Sequence, residues 1–224
     1  MPALFSIGLS WLPEPPDARK RSAEARRILG AFEPSGEIAV DGGGRPRFVR
    51  SRADFSISHS RNAVAVAFLP APENGSPPLS RGIPRVGCDI QYADPRKDHA
   101  AISRLFFHAS EQEYIFSANG DEQRCRFYRL WALKEAWIKM HGLSVFDLRR
   151  GPPFSIGKQA EASRPLARHA ATAVFLYELK NAHGELYTLA ALKEPCSAAA
   201  EAPELQWFSR EQPALTAMLA EIGD

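Results

Sequence analysis

The sequence predicts an α+β fold, and three observations support this prediction. Short apolar or alternating runs, typical of strands, lie towards both ends of the chain. Long stretches whose apolar residues recur at helical spacing lie between them. After a Pro-rich connection at residues 70–84, a turn followed by an apolar strand partly repeats an earlier pattern. At 224 residues, 45% of them hydrophobic, the chain is long enough to bury a substantial core.

The part before the Pro-rich connection is predicted to contain four strands or extended segments and one helix. The basic helix is expected to bury Ala23, Ile28 and Leu29. The last strand is apolar throughout its first six residues, so we expect it to be central in its sheet. In chain order, these elements cover residues 3–11 (strand), 17–32 (helix), 47–49 (extended), 54–60 (strand) and 63–69 (strand).

Residues 70–84, rich in Pro, Gly and Ser, provide the expected boundary between two domains, residues 1–84 and 85–224. The tail from Glu194 onward is expected to add a terminal strand or helix. The other elements predicted for the second domain are a strand at 85–91, helices at 98–107 and 110–141, and strands at 153–157, 171–180 and 185–193.

Composition excludes several classes of protein. Cys88, Cys125 and Cys196 are widely spaced, which favours a reducing cytoplasm and argues against a disulfide framework or a zinc site. No apolar run reaches the roughly 18 residues of a membrane span, and we expect no secretory signal. A net charge of +2 gives no support for a nucleic-acid-binding function.

One helix carries a candidate site. Residues 130–139 lack Gly and Pro, and the helix is expected to end at Gly142. Trp131, Glu135 and Lys139 are four residues apart and therefore share one helix face. Taken alone, this spacing is also that of an ordinary Glu–Lys pair on a solvated face.

A second candidate lies on the predicted strand at 85–91, where Asp89 and Gln91 share a face. An Asp on an otherwise apolar strand needs a cation, a hydrogen-bond donor or a metal as its partner. Asp89 and Glu135, from separate elements, would together offer carboxylate oxygens to a hard cation such as Mg²⁺.

Three motifs in this order resemble those of the 4′-phosphopantetheinyl transferases. They are Gly87-Cys88-Asp89-Ile90-Gln91, then Trp131-x-x-Lys134-Glu135-Ala136-x-x-Lys139, and upstream Phe55-Ser56-Ile57-Ser58-His59-Ser60. The upstream motif is typical of the longer, monomeric, surfactin-type subfamily. The resemblance implies two pseudo-symmetric α+β halves with the cofactor in the cleft between them. It further implies transfer of the 4′-phosphopantetheine arm of coenzyme A to a serine of an apo acyl or peptidyl carrier protein.

The resemblance also assigns roles to individual residues. It implies that Asp89, Glu135 and Gln91 hold Mg²⁺, with Mn²⁺ as an alternative, and that Glu135 and Lys139 are catalytic. Many family members have Glu where this chain has Gln91, and an amide adds no negative charge. We therefore expect Gln91 to be a minor or indirect ligand.

Coenzyme A is expected to meet residues of both halves. In the family, a basic residue in a Gly-x-Pro turn contacts coenzyme A, and Arg45 occupies that position. Ser58 and His59 correspond to residues that bind its phosphates, and Lys139 would neutralise phosphate charge. Arg26 is the candidate for the adenine and 3′-phosphate contacts. In isolation, a histidine such as His59 is more often structural.

Two other functions are compatible with the same residues. Another Mg²⁺-dependent enzyme that cleaves a pyrophosphate would use Asp89, Glu135 and the basic residues without an acceptor protein. The second alternative is a non-catalytic protein that binds coenzyme A or carrier proteins, and the feature that favours it is Gln91.

Overall fold

The computed structural model describes residues 5–12, 16–71, 85–157, 166–169, 172–194, 202–210, 212–218 and 220–222. The helices are α1 (Ala18–Phe32), α2 (His99–Phe106), α3 (Ala109–Phe116) and α4 (Gly120–His141), followed by a 3-10 helix (Val145–Arg150). The strands are β1 (Ser6–Trp11), β2 (Ile38–Val40), β3 (Pro46–Phe48), β4 (Asp54–Ser60), β5 (Ala63–Leu69), β6 (Arg85–Tyr92), β7 (Phe154–Ile156), β8 (Leu166–His169), β9 (Thr172–Lys180), β10 (Leu186–Glu194), β11 (Glu204–Trp207), β12 (Ala214–Met218) and β13 (Ala220–Ile222). This mixture of helices and sheets confirms the predicted α+β class.

A four-stranded sheet and a five-stranded sheet form the centre of the molecule. The first has the strand order β11-β1-β5-β4; the second has the order β12-β9-β10-β6, and its fifth strand, β8, also pairs with β9. All seven residues of β5 are buried, which confirms that this strand is central. Within both sheets the pairs are antiparallel, except that β11 runs parallel to β1.

Burial of apolar side chains arranges these elements in layers. One face of each sheet contributes to a shared core, which contains Leu9, Ile90 and Leu189. The opposite face of the first sheet packs against α1. The opposite face of the second sheet packs against α4, through residues such as Leu133 and Ala190. In the described parts of the chain, no helix combines the length and apolarity that crossing a membrane requires.

The two sheets meet where β4 runs beside β6, and side-chain oxygens of β4 accept hydrogen bonds from backbone N–H groups of β6. We call this contact the seam. The strands run in the same direction, and each bonded pair is 32 residues apart in the chain. The bonds are Val86 N to Asp54 Oδ2 (2.8 Å), Cys88 N to Ser56 Oγ (3.0 Å), Ile90 N to Ser58 Oγ (3.1 Å) and Tyr92 N to Ser60 Oγ (2.9 Å).

The two sheets share a pattern of connections. In the first, β1, α1, β4 and β5 follow in the chain and give the strand order β4-β5-β1. In the second, β6, α4, β9 and β10 give the corresponding order β9-β10-β6. Pseudo-symmetry of the halves stays a prediction, because a shared order is not a superposition. Most of the expected boundary at residues 70–84 lies outside the described residues, from residue 72 onward, and so does Cys196.

Two local predictions were wrong. The helix expected over 110–141 is two helices, α3 and α4, separated by a turn at Ser117–Asn119. Gly120, the first residue of α4, has a φ of +56°, a conformation that interrupts a continuous helix. In α1 the buried alanine is Ala25 and Ala23 is exposed. Helical spacing explains this, since residue 25 lies three and four positions before Ile28 and Leu29.

Candidate active site

Helix α4 lies unusually close to β6, and Gly87 makes this approach possible. A Cβ atom at position 87 would lie 2.0 Å from the carbonyl oxygen of Ala136. The predicted helix face is confirmed: Trp131, Glu135 and Lys139 are half-buried, while Ala136 is buried behind them. The same face of β6 carries Asp89, so the close approach brings the residues of two motifs together.

Asp89, Lys139 and Ser58 form a hydrogen-bonded cluster, which we call the Asp89 cluster. Lys139 Nζ lies 2.5 Å from Asp89 Oδ1 and donates to Ser58 Oγ at 3.0 Å. Ser58 Oγ in turn donates to Asp89 Oδ1 at 2.7 Å. Because Asp89 is only 1% exposed, the ammonium group is the cation that this buried carboxylate requires.

Glu135 and Lys139 lie on the helix face next to Asp89, and their surroundings shift the pKa of each group. Burial raises the pKa of Glu135 to about 7, and the negative charge of Asp89 adds to the rise. Desolvation is the largest single effect on Lys139 and lowers its pKa, but the combined contributions of Asp89, Cys88 and Glu135 outweigh it, so the pKa is raised overall. Lys139 therefore stays protonated at neutral pH.

The donor set suits a divalent cation that keeps part of its hydration shell. The negative charge of Asp89 raises the pKa of Glu135, so the two carboxylates are close enough to interact. Gln91 Nε2 donates to Asp89 Oδ2 at 2.8 Å. Among the described residues, no group of three or more His, Cys, Asp or Glu side chains is arranged to hold a metal ion. Mg²⁺ commonly takes one or two carboxylates and completes its shell with water and substrate phosphates.

Arg45 is buried, and both terminal nitrogens of its guanidinium donate to protein oxygens. Nη1 donates to the carbonyl oxygens of Lys139 (2.6 Å) and Met140 in the last turn of α4. Nη2 donates to Asp54 Oδ2 at 2.6 Å and to the carbonyl oxygen of Val86 at 2.8 Å. A longer bond of 3.3 Å joins Nη2 to the carbonyl oxygen of Phe55. The side chain thus bridges one helix and two strands.

A cleft of about 250 Å³ lies beside Arg45 and Lys139. Three segments form its walls: the loop between β2 and β3, the start of β4, and the end of α4. The lining residues are Gly43, Gly44, Arg45, Pro46, Phe55, Ser56, Ile57, Lys139, Gly142 and Leu143. A concave space of this kind next to charged groups is a common location for a ligand.

His59 and Arg26 are not members of the hydrogen-bonded Asp89 cluster, although the charges of Lys139 and Asp89 act on His59. His59 is exposed, and it points away from Ser58 because successive residues of a strand face opposite sides. Partial desolvation lowers the pKa of His59, and the positive charge of Arg21 lowers it further. Arg26 is exposed on α1. The α1 residue whose charge affects the pKa of His59 is thus Arg21. The sequence analysis did not name Arg21 as a candidate site residue.

Lys134, inside the second motif, has a different environment from its neighbour Glu135. It is 1% exposed, and its Nζ lies 3.0 Å from Glu111 Oε2, a carboxylate of α3 that is completely buried. Lys134 also donates to the carbonyl oxygen of Leu148 at 3.2 Å. Glu111 accepts the backbone N–H of Phe154 at 2.9 Å. Lys134 therefore holds neighbouring elements against α4 and faces away from the cleft.

Comparisons with known proteins indicate which family part of this chain resembles. Residues 85–192, which include α4 and Asp89, match the family model of the 4′-phosphopantetheinyl transferase superfamily. The chain is 27% identical over 137 residues to the 4′-phosphopantetheinyl transferase AcpT of Salmonella typhimurium, which covers 60% of this chain and 65% of that protein. The match to this family model covers just under half of the 224 residues, and over that part the chain is similar to the 4′-phosphopantetheinyl transferases.

Other relatives with the same activity in their names align over shorter parts of their length. The chain is 29% identical over 146 residues to the 4′-phosphopantetheinyl transferase HetI of Nostoc, covering 59% of this chain and 56% of that protein. It is 33% identical over 90 residues to the 4′-phosphopantetheinyl transferase Sfp of Bacillus subtilis. That alignment covers 40% of this chain and 34% of Sfp. The alignments therefore span from about a third to about two thirds of these relatives.

Proposed function

We propose that this protein transfers the 4′-phosphopantetheine arm of coenzyme A to a serine hydroxyl of an apo acyl or peptidyl carrier protein. The observation that carries the proposal is the ion pair between Asp89 and Lys139, a residue that lines the cleft and lies one helical turn after Glu135, in a chain whose residues 85–192 match this superfamily. The serine oxygen bonds to the β-phosphorus of coenzyme A. The bond between that phosphorus and the bridging oxygen breaks, and 3′,5′-adenosine bisphosphate leaves.

Lys139 is proposed to act as a fixed positive charge for the phosphates. Its pKa is raised, so it cannot readily accept the proton of the attacking hydroxyl at neutral pH. A protonated amine beside a phosphate favours the charge that develops during transfer. Glu135 is the candidate base, acting directly or through a water molecule, because a carboxylate oxygen on this helix face can accept the proton of the hydroxyl.

Asp89 and Glu135 are the proposed ligands of Mg²⁺ or Mn²⁺, and Gln91 is proposed to act indirectly by donating to Asp89. When bound, the cation supplies positive charge to the pyrophosphate. Coenzyme A is proposed to contact Ser58, His59, Lys139 and Arg26 through its phosphates and adenine. Arg45, at the wall of the cleft, was expected to join them.

The proposal is tested by the intact mass of a purified apo carrier protein after incubation with this protein, coenzyme A and Mg²⁺. We expect a gain equal to one phosphopantetheine arm. Asp89→Asn keeps the size of the side chain but removes its charge, so we expect at least about a hundredfold slower transfer. Asp121→Asn, at an exposed residue of α4, is the matched control and should transfer normally.

Three other results would each contradict the proposal. Release of the arm to water without a carrier would indicate a pyrophosphate-cleaving enzyme. Tight coenzyme A binding without transfer to acyl or peptidyl carriers, with Mg²⁺ and with Mn²⁺, would indicate a binding protein. Transfer that is undiminished in Asp89→Asn would locate the chemistry elsewhere.

We also propose that the protein is a cytoplasmic monomer of the longer, surfactin-type subfamily. The upstream motif around Ser58 and His59 supports the subfamily, and its Ser58 side chain contacts Asp89 of the other half. Because one chain contributes both sides of this contact, no second copy is required. Light scattering of the active protein should give a mass close to 24.7 kDa, and a dimer mass would contradict the monomer.

A further inference from the structure

The backbone that carries Arg45 is held in a tight turn between β2 and β3. Asp41 Oδ1 accepts the backbone N–H groups of Gly43 (3.0 Å) and Arg45 (2.9 Å). Gly44 has a φ of +83°, a conformation that a glycine adopts without strain. The turn therefore fixes the point from which the Arg45 side chain enters the protein.

Arg45 connects the same three elements as the Asp89 cluster, at nearby positions on each of them. The cluster joins α4, β6 and β4 through the side chains of Lys139, Asp89 and Ser58. Arg45 joins the same three elements through the end of α4, Val86 and Asp54. These strand positions lie three and four residues before Asp89 and Ser58, or about 10–13 Å at strand spacing.

We infer that Arg45 is a positioning residue, which fixes the last turn of α4 against β4 and β6 and thereby holds Lys139 beside Asp89 and Ser58. This inference rests on the proposed transfer. It assigns Arg45 a different task from the expected contact with coenzyme A. Arg45 acts through Lys139, whose backbone carbonyl it binds and whose ammonium group lies in the Asp89 cluster.

The chemistry of arginine fits this task. A guanidinium is planar and presents several N–H groups in a fixed arrangement, so one side chain can bind acceptors on three elements at once. The last carbonyl groups of a helix have no partner within the helix, and a cation there is favoured by the helix dipole. An ammonium group on a lysine offers three donors from one point and cannot reach the same spread of acceptors. A phosphate contact that needs only a point charge, in contrast, can also be made by a lysine.

Transfer kinetics of Arg45→Lys and Arg45→Met, measured well below their unfolding temperatures, test the inference. We expect kcat to fall by about tenfold or more in both variants, because Lys139 is no longer held in place. The KM for coenzyme A should stay within about threefold of the original value, since no ligand contact is lost. Arg50→Met removes an exposed arginine of the same segment and should match the unchanged protein.

A KM for coenzyme A that rises about tenfold while kcat is kept, or full rescue by Arg45→Lys, would overturn the inference and restore a ligand contact. Amide hydrogen exchange gives a second readout that does not require activity. In Arg45→Met, exchange should accelerate in residues 136–143 more than in α1, and equal protection would also overturn the inference. Absence of transfer by the unchanged protein would instead refute the proposed function, while the exchange result still decides the role of Arg45.

Discussion

At the scale of single residues, Lys139 links the folded state to the proposed chemistry. In the free protein its ammonium group neutralises Asp89, so the buried carboxylate is never left without a partner. The Lys139 side chain is nevertheless 31% exposed, which leaves part of it open to the cleft. A phosphate that enters the cleft therefore meets a cation that is already ordered, and little side-chain entropy is lost on binding.

Lys134 gives the clearest prediction for stability. Lys134→Met removes the cation that pairs with the buried carboxylate of Glu111, and we expect the free energy of unfolding to fall by about 3–5 kcal/mol. Urea denaturation measures this change. The double variant Lys134→Met with Glu111→Gln should recover part of the loss, because the buried charge is gone although one acceptor is sacrificed. A loss below about 1 kcal/mol in Lys134→Met would contradict a structural role for the pair.

Sequence spacing reveals some of these residues and conceals others. Trp131, Glu135 and Lys139 are found from helical periodicity alone, because the pattern is local. The partner of Lys134 lies on another helix, 23 positions earlier in the chain, and no short pattern connects the two. The carbonyl groups that Arg45 binds are 94 and 95 positions away. Backbone acceptors also leave no trace in the residue types.

At the scale of elements, the packing of α4 on β6 depends on a missing side chain. A Cβ at position 87 would meet the carbonyl oxygen of Ala136 at 2.0 Å and Met140 Cβ at 2.8 Å. Neither the helix backbone nor the start of a side chain can move aside easily. The distance between the helix and the strand, and with it the spacing of Lys139 and Asp89, is therefore set by this glycine.

Gly87→Ala should separate α4 from β6 and lower the free energy of unfolding by about 1–3 kcal/mol. Transfer should slow as well, because the same displacement moves Lys139 away from Asp89. Gly30→Ala is the matched control: no atom lies within 4 Å of the added Cβ, and the residue is in α1. There we expect a gain of up to about 1 kcal/mol. Urea unfolding measures the free energy of unfolding of both variants. Equal changes in the two would show that the close approach of α4 to β6 is unimportant for stability.

The positions of α3 and α4 show where pattern recognition stops at this scale. Both segments contain strong helix formers, so one continuous helix over 110–141 was a natural prediction. The break depends on the backbone conformation of Gly120, and an isolated Gly is also tolerated within helices. The capping interaction of Glu111 with the backbone N–H of His108 marks the start of α3, but its sequence signature is weak.

At the scale of the whole molecule, the seam joins the two sheets with an ordered register. Four polar residues alternate along β4, and each accepts an N–H of β6 at the same separation of 32 residues. A side-chain oxygen extends further from its strand than a backbone carbonyl, so these bonds can join β4 and β6 although the two strands belong to different sheets. The alternation Asp-x-Ser-x-Ser-x-Ser was visible in the sequence at 54–60, but β6 as its partner was not.

Ser56→Ala tests the seam without touching the Asp89 cluster. It leaves the buried N–H of Cys88 without its acceptor, so we expect the free energy of unfolding to fall by about 1–3 kcal/mol. Ser35→Ala removes an exposed hydroxyl that bonds to Glu33, and its effect should stay within about 0.5 kcal/mol. A Ser56→Ala variant as stable as Ser35→Ala would show that the bond contributes little across the seam.

The parallel pairing of β1 with β11 has a consequence for the order of events during synthesis. Ser6 pairs with Glu204, so the two strands are separated by roughly 200 residues of chain. A ribosome therefore releases β1 long before its neighbour on that side exists, and the nascent strand carries an unpaired edge until β11 has been synthesised. The first sheet can be completed only after that point. A stalled or truncated nascent chain without β11 would expose the edge of β1, and that edge could pair with a strand of another copy.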